Sequence, residues 1–138
     1  MGKIKYVLDT NHCIHFLNGQ FELNLKIDEV GVENCFISEI TVLELLYGVA
    51  NSDSSHKDKN FNKVKGFIQM LNGRILPIRP IFEVFAEQKV QLRRKGTPIS
   101  DFDLLIGCTA LTQNMTLVSR NIKEMKRIEG LSYENWID

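Results

Sequence analysis

"KIKYVLDTNHCIHFLNG", Lys3 to Gly19, is the stretch that decides the fold. Its first half, Lys3 to Asp9, reads as a short buried strand that ends abruptly on a carboxylate. Its second half, "TNHCIHFLNG", reads as a brief helix with Gly19 as the stop. A strand that passes straight into a helix is half of a βαβ unit, the crossover that parallel strands require.

Outward from that unit the same alternation recurs. "FELNLKIDEV" places Phe21, Leu25 and Ile27 near helical spacing, "NCFIS" reads as a second strand, and "TVLELLYGVANS" as a helix followed by a polar loop from Asn51 to Ser55. "KDKNFNKVKGFIQMLNG" sets Phe61, Val64, Phe67, Ile68 and Leu71 on one helical stripe. "RILPIRP" is a strand whose Pro77 argues for an edge or irregular position, and "IFEVFAEQKVQLRRKG" is a helix running to Gly96. "TPISDFDLLIGCTAL" is a helix, "MTLVS" a strand, "NIKEMKRIEG" a short helix, and "LSYENWID" a brief last strand before Trp136. The expected architecture is one α/β domain over residues 1–138, a three-layer α/β/α sandwich with a central, mostly parallel sheet. Ligands of such sheets sit beyond the carboxyl ends of the strands, where Asp9, Ser38 and Ser119 fall.

Composition narrows the function classes. The 138 residues hold 43% hydrophobic and 25% charged side chains, ordinary values for a folded domain. No apolar run reaches the roughly 18 residues of a membrane span, and the first residues lack the long apolar core of a secretory leader. Met1-Gly2 opens as a myristoylation site would, but Tyr6 stands where that motif needs Ser or Thr. Cys13, Cys35 and Cys108 are odd in number, widely spaced and set in apolar segments, which reads as reduced buried thiols in a cytoplasmic protein. Net charge is zero, which argues against a general polyanion binder. It is unevenly spread: residues 1–60 hold 5 Lys/Arg against 9 Asp/Glu, and residues 61–138 hold 12 against 8.

Three acids sit where a strand hands over to a helix: Asp9, Glu44 and Asp103. Each has a bland reading. Asp9 or Thr10 can cap the following helix, Thr41-x-x-Glu44 fits a capping box, and Ser100-x-x-Asp103 fits the same pattern. Taken together, however, the three converge on one edge of a parallel sheet. Converged carboxylates raise one another's pKa values unless a cation neutralises them. Oxygen ligands of this kind suit Mg²⁺ or Mn²⁺. Helical phase separates the two aspartates of "SDFDLL": Asp103 turns toward the packed side, over small Gly107 and Ala110, and Asp101 toward Thr109, Thr112 and Gln113. Asp101 is therefore read as a partner of the helix dipole, or as a group touching metal-bound water. His12 and His15 have a spacing compatible with a metal pair beside Asp9, but no third nitrogen or sulfur ligand accompanies them, which disfavours zinc.

"YVLDTNHCI", "ISEITVLELLYG", "GTPISDFDLLIGCTAL" and "TLVSRNIKEMKRIEGLSYENW" occur in the order seen in PIN domains, and together they resemble the VapC toxins of VapBC toxin–antitoxin systems. The resemblance implies a PIN-like fold and a Mg²⁺- or Mn²⁺-dependent endoribonuclease that hydrolyses RNA phosphodiester bonds. It further implies a growth-inhibiting toxin, a homodimer, and a cognate VapB-like antitoxin through which operator DNA is bound. It assigns Asp9 and Asp103 to the metal and Glu44 to the attacking water or the coordination shell. Gly107 stands where an alanine is usual, and Asn121 where many members carry a fourth acid. Asn11 and Ser119 match supporting polar positions.

Arg93 and Arg94, before the Asp101–Asp103 helix, and Arg120, after "LVS", are candidate RNA phosphate contacts, Arg120 foremost because it adjoins a strand end. No aromatic–glycine motif for base stacking is present. Two other functions share parts of this pattern. A haloacid-dehalogenase-type phosphatase also starts from an aspartate after the first strand but wants a DxD pair, where this chain has Asp9-Thr10-Asn11. A PIN-like module that binds RNA without cleaving it has no need of the three acids.

Overall fold

The computed structural model describes residues 3–138; Met1 and Gly2, where the myristoylation motif was weighed, lie outside the described residues. Five strands, β1 (Tyr6–Leu8), β2 (Cys35–Ser38), β3 (Ile75–Leu76), β4 (Thr116–Val118) and β5 (Ser132–Glu134), form one sheet in the order β3-β2-β1-β4-β5. Every pairing is parallel, so the expected mostly parallel sheet is parallel throughout. β3 is the edge strand that Pro77 implied.

Seven α-helices connect the strands: α1 (Thr10–Leu17), α2 (Leu23–Val30), α3 (Glu39–Ala50), α4 (Lys57–Met70), α5 (Phe82–Arg94), α6 (Asp101–Thr112) and α7 (Ile122–Met125). The inner strands β1, β2 and β4 are short but largely buried, and their alternation splits the core in two. Tyr6, Leu8, Cys35, Ile37 and Val118 pack against α1, α2, α3 and α4 on one side. Val7 and Leu117 pack with Leu92 of α5, Leu104 and Ile106 of α6, and Met125 of α7 on the other. This is the three-layer sandwich, and continuous apolar strands are what a sheet covered on both faces demands.

Two helical stripes differ from expectation. In α2 the buried residues are Leu23 and Ile27, while Phe21 and Leu25 face outward. Phe21 and Glu22 precede the helix in left-handed backbone (φ 57° and 52°), which rotates the helix away from the phase that counting from Phe21 would give. In α4, Val64, Phe67 and Leu71 are buried but Phe61 is exposed. Thr109, which the helical wheel placed on the polar side of α6, is fully buried; its hydroxyl donates to the Leu105 carbonyl at 2.8 Å and so needs no water. Gly107 approaches not the sheet but the segment after α7, where an added Cβ would stand 2.6 Å from Ile128 Cδ1.

Candidate active site

β1 and β4 lie side by side in register, Leu8 opposite Val118, so the residues that follow them, Asp9 and Ser119, emerge together. The Asp9 amide donates to the Val118 carbonyl at 3.0 Å and the Ser119 amide to the Glu134 carbonyl at 2.9 Å, which fixes both at the sheet edge. Asp103 reaches the same place from the first turn of α6. Asp9, Asn11, Asp103, Ser119, Arg120 and Asn121 line one crevice of about 330 Å³. The sequence-based candidates Asp9, Asp103, Asn11, Ser119, Asn121 and Arg120 are thus gathered in one place.

Asp9 serves two purposes at once. It is the N-cap of α1, with Oδ1 accepting from the His12 amide at 2.9 Å, and it is still a wall of the crevice. The same Oδ1 accepts from His12 Nδ1 at 3.0 Å. Asp103 is half-buried, and burial pushes its carboxyl above the usual aspartate value. The neighbouring Ser100 hydroxyl works against that shift, and the negative charges of Glu124 and Asp9 add to it. Ser119 is buried, and its hydroxyl accepts from the Asn121 amide at 3.1 Å, which orders the turn leaving β4.

Glu44 occupies different ground. α3 begins at Glu39 with Ser38 as its cap, the Ser38 hydroxyl accepting from the Ile40 amide at 3.0 Å. Thr41 therefore lies inside the helix, and the Thr41–Glu44 capping box does not form. Instead Thr10 Oγ1 donates to Glu44 Oε1 at 2.6 Å. A hydroxyl has one proton to give, so the 3.1 Å bond between Thr10 Oγ1 and Thr41 Oγ1 is donated by Thr41. Glu44 lines the adjoining groove between α1, α3 and α4, together with Leu17, Asn18, Leu45 and Lys63. Thr10, the residue after Asp9, ties that groove to the crevice.

Other candidates are placed elsewhere. Asp101 turns away from the crevice to meet Lys89 of α5 at 2.9 Å, an exposed pair at the start of α6 that suits the helix dipole and gives no contact with the other acids. Arg93 lies beside Pro98 and Ile99, and Arg94 on the outer face of α5. Arg120 is held by Asp138 through two bonds of 3.0 Å, with its guanidinium carbon 5.7 Å from the centre of the exposed Phe21 ring. His15 bonds Gln20 at 2.6 Å, so the two histidines do not form a pair. Glu124 escaped the sequence reading as a member of the site, and His12 entered it only as a disfavoured zinc ligand, not as a partner of Asp9. Glu124 follows Asn121 by one helical turn, a spacing visible in "NIKE" once α7 is recognised; the role of His12 needs the cap geometry of α1.

Among the described residues no three carboxylate, imidazole or thiol groups stand close enough to hold one ion between them. The donors that do share the crevice fit a hard divalent cation nonetheless. They are two carboxylates with two side-chain amides and a hydroxyl, each offering oxygen, and Asp103 is a half-buried acid with further acids nearby. Mg²⁺ is characteristically bound by one or two carboxylates and keeps several waters, so a two-acid crevice of this volume suits it.

A model of the PIN domain matches residues 6–131. Ribonuclease VapC2 of Rickettsia felis is 38% identical over 133 residues, covering 95% of this chain and 97% of its own. The tRNA(fMet)-specific endonuclease VapC of Salmonella typhimurium is 31% identical, covering 96% and 98%. Among solved structures, VapBC2 of Rickettsia felis bound to a promoter DNA fragment superposes with a TM-score of 0.85 at 35% identity, covering 96% of this chain and 99% of that one. The DNA-bound VapBC of Salmonella typhimurium gives 0.86 at 30%, covering 96% and 98%. These matches leave no place for the phosphatase alternative. With the parallel sheet and the acids at its carboxyl edge, they establish that the chain belongs to the PIN domain family, in its VapC ribonuclease branch.

Proposed function

We propose that this chain is the toxin of a toxin–antitoxin pair: an endoribonuclease that depends on Mg²⁺ or Mn²⁺ and acts in the cytoplasm. The observation that carries this reading is the meeting of Asp9 and Asp103, from different parts of the chain, in one crevice with Arg120 at its rim. Asp9 and Asp103 would hold the divalent ion, directly or through water, and when bound it would supply Lewis acidity toward the phosphate and an acidified water. Asn11 and Ser119 would orient the acids and metal-bound water, and Asn121 holds the turn through its backbone amide on Ser119. Glu124, facing Asp103, adds negative charge that favours a cation. Glu44, tied to the crevice through Thr10, would position or deprotonate the attacking water, or complete the coordination. Its Oε1 is occupied by Thr10, which leaves Oε2 as the basic atom. Arg120 holds an RNA phosphate by exchanging the Asp138 carboxylate for it.

The likeness to DNA-bound VapBC complexes supports a VapB-like antitoxin as partner, with operator DNA engaged through it; a homodimer as the working form is part of the same proposal. No helix among the described residues is long and apolar enough to cross a membrane.

The test is cleavage of an RNA pool that includes tRNA, in Mg²⁺, Mn²⁺ or EDTA. Asp9→Asn, Glu44→Gln and Asp103→Asn are each expected to lower the rate at least about 100-fold, and EDTA to abolish it. Equal cleavage by all four proteins refutes the assignment of residues. Cleavage that survives EDTA refutes the metal dependence, and RNA binding without any cleavage establishes the non-catalytic module instead.

A further inference from the structure

His12 is the one buried polar side chain that neither the packing nor the reaction outlined above explains. It is 1% exposed, and its Nε2 is buried without a hydrogen-bond partner, the sole side-chain atom so placed among the described residues. An apolar side chain would fill the same position without that cost. What the imidazole gains in return is a single contact, Nδ1 to Asp9 Oδ1 at 3.0 Å. A carboxylate only accepts, so Nδ1 is the donor in that contact, and Nε2 is left buried with no partner.

We propose that His12 is a positioning residue for the metal ligand Asp9, locking Oδ1 so that Oδ2 is the oxygen offered to the cation. This rests on the reading of Asp9 as a ligand. An N-cap needs only one donor, and the His12 amide at 2.9 Å already provides it. Nδ1 adds a second donor to the same oxygen, from the same residue. Two donors on Oδ1 leave that oxygen poorly available to a cation and prevent rotation of the carboxylate about its own axis. Partners of this kind, bonded to the far side of a metal ligand, tune affinity as the ligands themselves do. His12 is not itself a ligand: Nδ1 is committed to Asp9, Nε2 is enclosed, and the imidazole is not among the residues lining the crevice.

The experiment measures Mn²⁺ affinity of the metal-free chain by calorimetry, and the rise in Tm on adding Mn²⁺, for wild type and for Asp9→Asn, His12→Asn, His12→Gln and His12→Leu. Asparagine places an amide nitrogen where Nδ1 stood, whereas glutamine carries its donor one bond further out. His12→Leu and His12→Gln are expected to weaken Mn²⁺ binding about 10–100-fold, and His12→Asn to stay near wild type. Cleavage by His12→Leu is expected to need more Mn²⁺ but to recover its rate at saturation. If His12→Leu does not melt cooperatively, His12→Gln carries the same comparison. Wild-type affinity in both of those variants overturns the proposal, as does a loss in His12→Asn equal to that in His12→Leu. Wild-type affinity in Asp9→Asn instead refutes the ligand reading of Asp9, a separate failure.

Discussion

Asp103 shows how one side chain carries a folding cost for the sake of the site. Burial, with Glu124 and Asp9 nearby, raises its pKa above the ordinary 3.8. The folded chain therefore holds that proton more tightly than the unfolded chain does. Below the unfolded value the two states are protonated alike and the group contributes nothing. As pH rises through the folded value, ionisation in the folded state becomes a growing penalty. Asp103→Asn is thus expected to raise the Tm of the metal-free protein at pH 7 and to lose that advantage as the pH is lowered toward 4. Mn²⁺ reverses the order, stabilising wild type and not the variant. A thermal melt series across pH, with and without Mn²⁺, reads both effects. Asp103 and Asp9 were legible in the sequence because each stands where an apolar strand or a helix start makes a carboxylate conspicuous. Glu44 was legible as an acid but not in its contacts, because its partner Thr10 lies 34 residues away in sequence. Its apparent cap, Thr41, is excluded only by knowing that α3 begins at Glu39.

At the scale of elements, the placement of α6 depends on Gly107, one turn after Asp103. An alanine there gains about 1 kcal/mol of helix propensity but drives a methyl to within 2.6 Å of Ile128 Cδ1, with Met125 Sδ and Leu131 Cδ2 both at 3.8 Å. Overpacking of a tight core costs about 1–3 kcal/mol. Ile128 is 2% exposed and has little room to turn, so the steric term wins. Gly107→Ala is expected to destabilise the protein by about 1 kcal/mol. Gly107→Ala combined with Ile128→Val, which removes the clashing methyl, is expected to be more stable than either change added to the other predicts. Urea titrations of the four proteins in that cycle measure it. The helices themselves were legible from periodicity and stop residues, while the phase of α2 was not. Two left-handed residues, Phe21 and Glu22, reset it just before it starts, and neither is a glycine that would announce such a turn.

In the whole molecule, the two apolar layers enclose all three thiols. Cys13, Cys35 and Cys108 are buried, and burial pushes Cys35 up to about 11, Cys108 to about 12, and Cys13 well above its usual value. A thiolate is the reactive form, so the native chain is expected to resist a thiol reagent at pH 8 and to release all three sites on unfolding in guanidinium. Rapid labelling of any one before unfolding contradicts the packing. The alternation of strand and helix made this architecture legible, but not which strands are neighbours. The order β3-β2-β1-β4-β5 puts the first strand at the centre, and apolar patterning is the same for central and inner strands.

That central strand also sets a timetable. β1 is synthesised well before its neighbour β4, with β2, β3 and the helices α1 to α6 between them in sequence. At about 5–20 residues per second, roughly 5–20 s separate the synthesis of Asp9 from that of Asp103. Until β4 has emerged, the two halves of the crevice are not on the same surface. A nascent chain whose β4 has not yet emerged therefore has no assembled site with which to attack the RNA around it, and the order of the strands delays the hazard until that strand is free to pair.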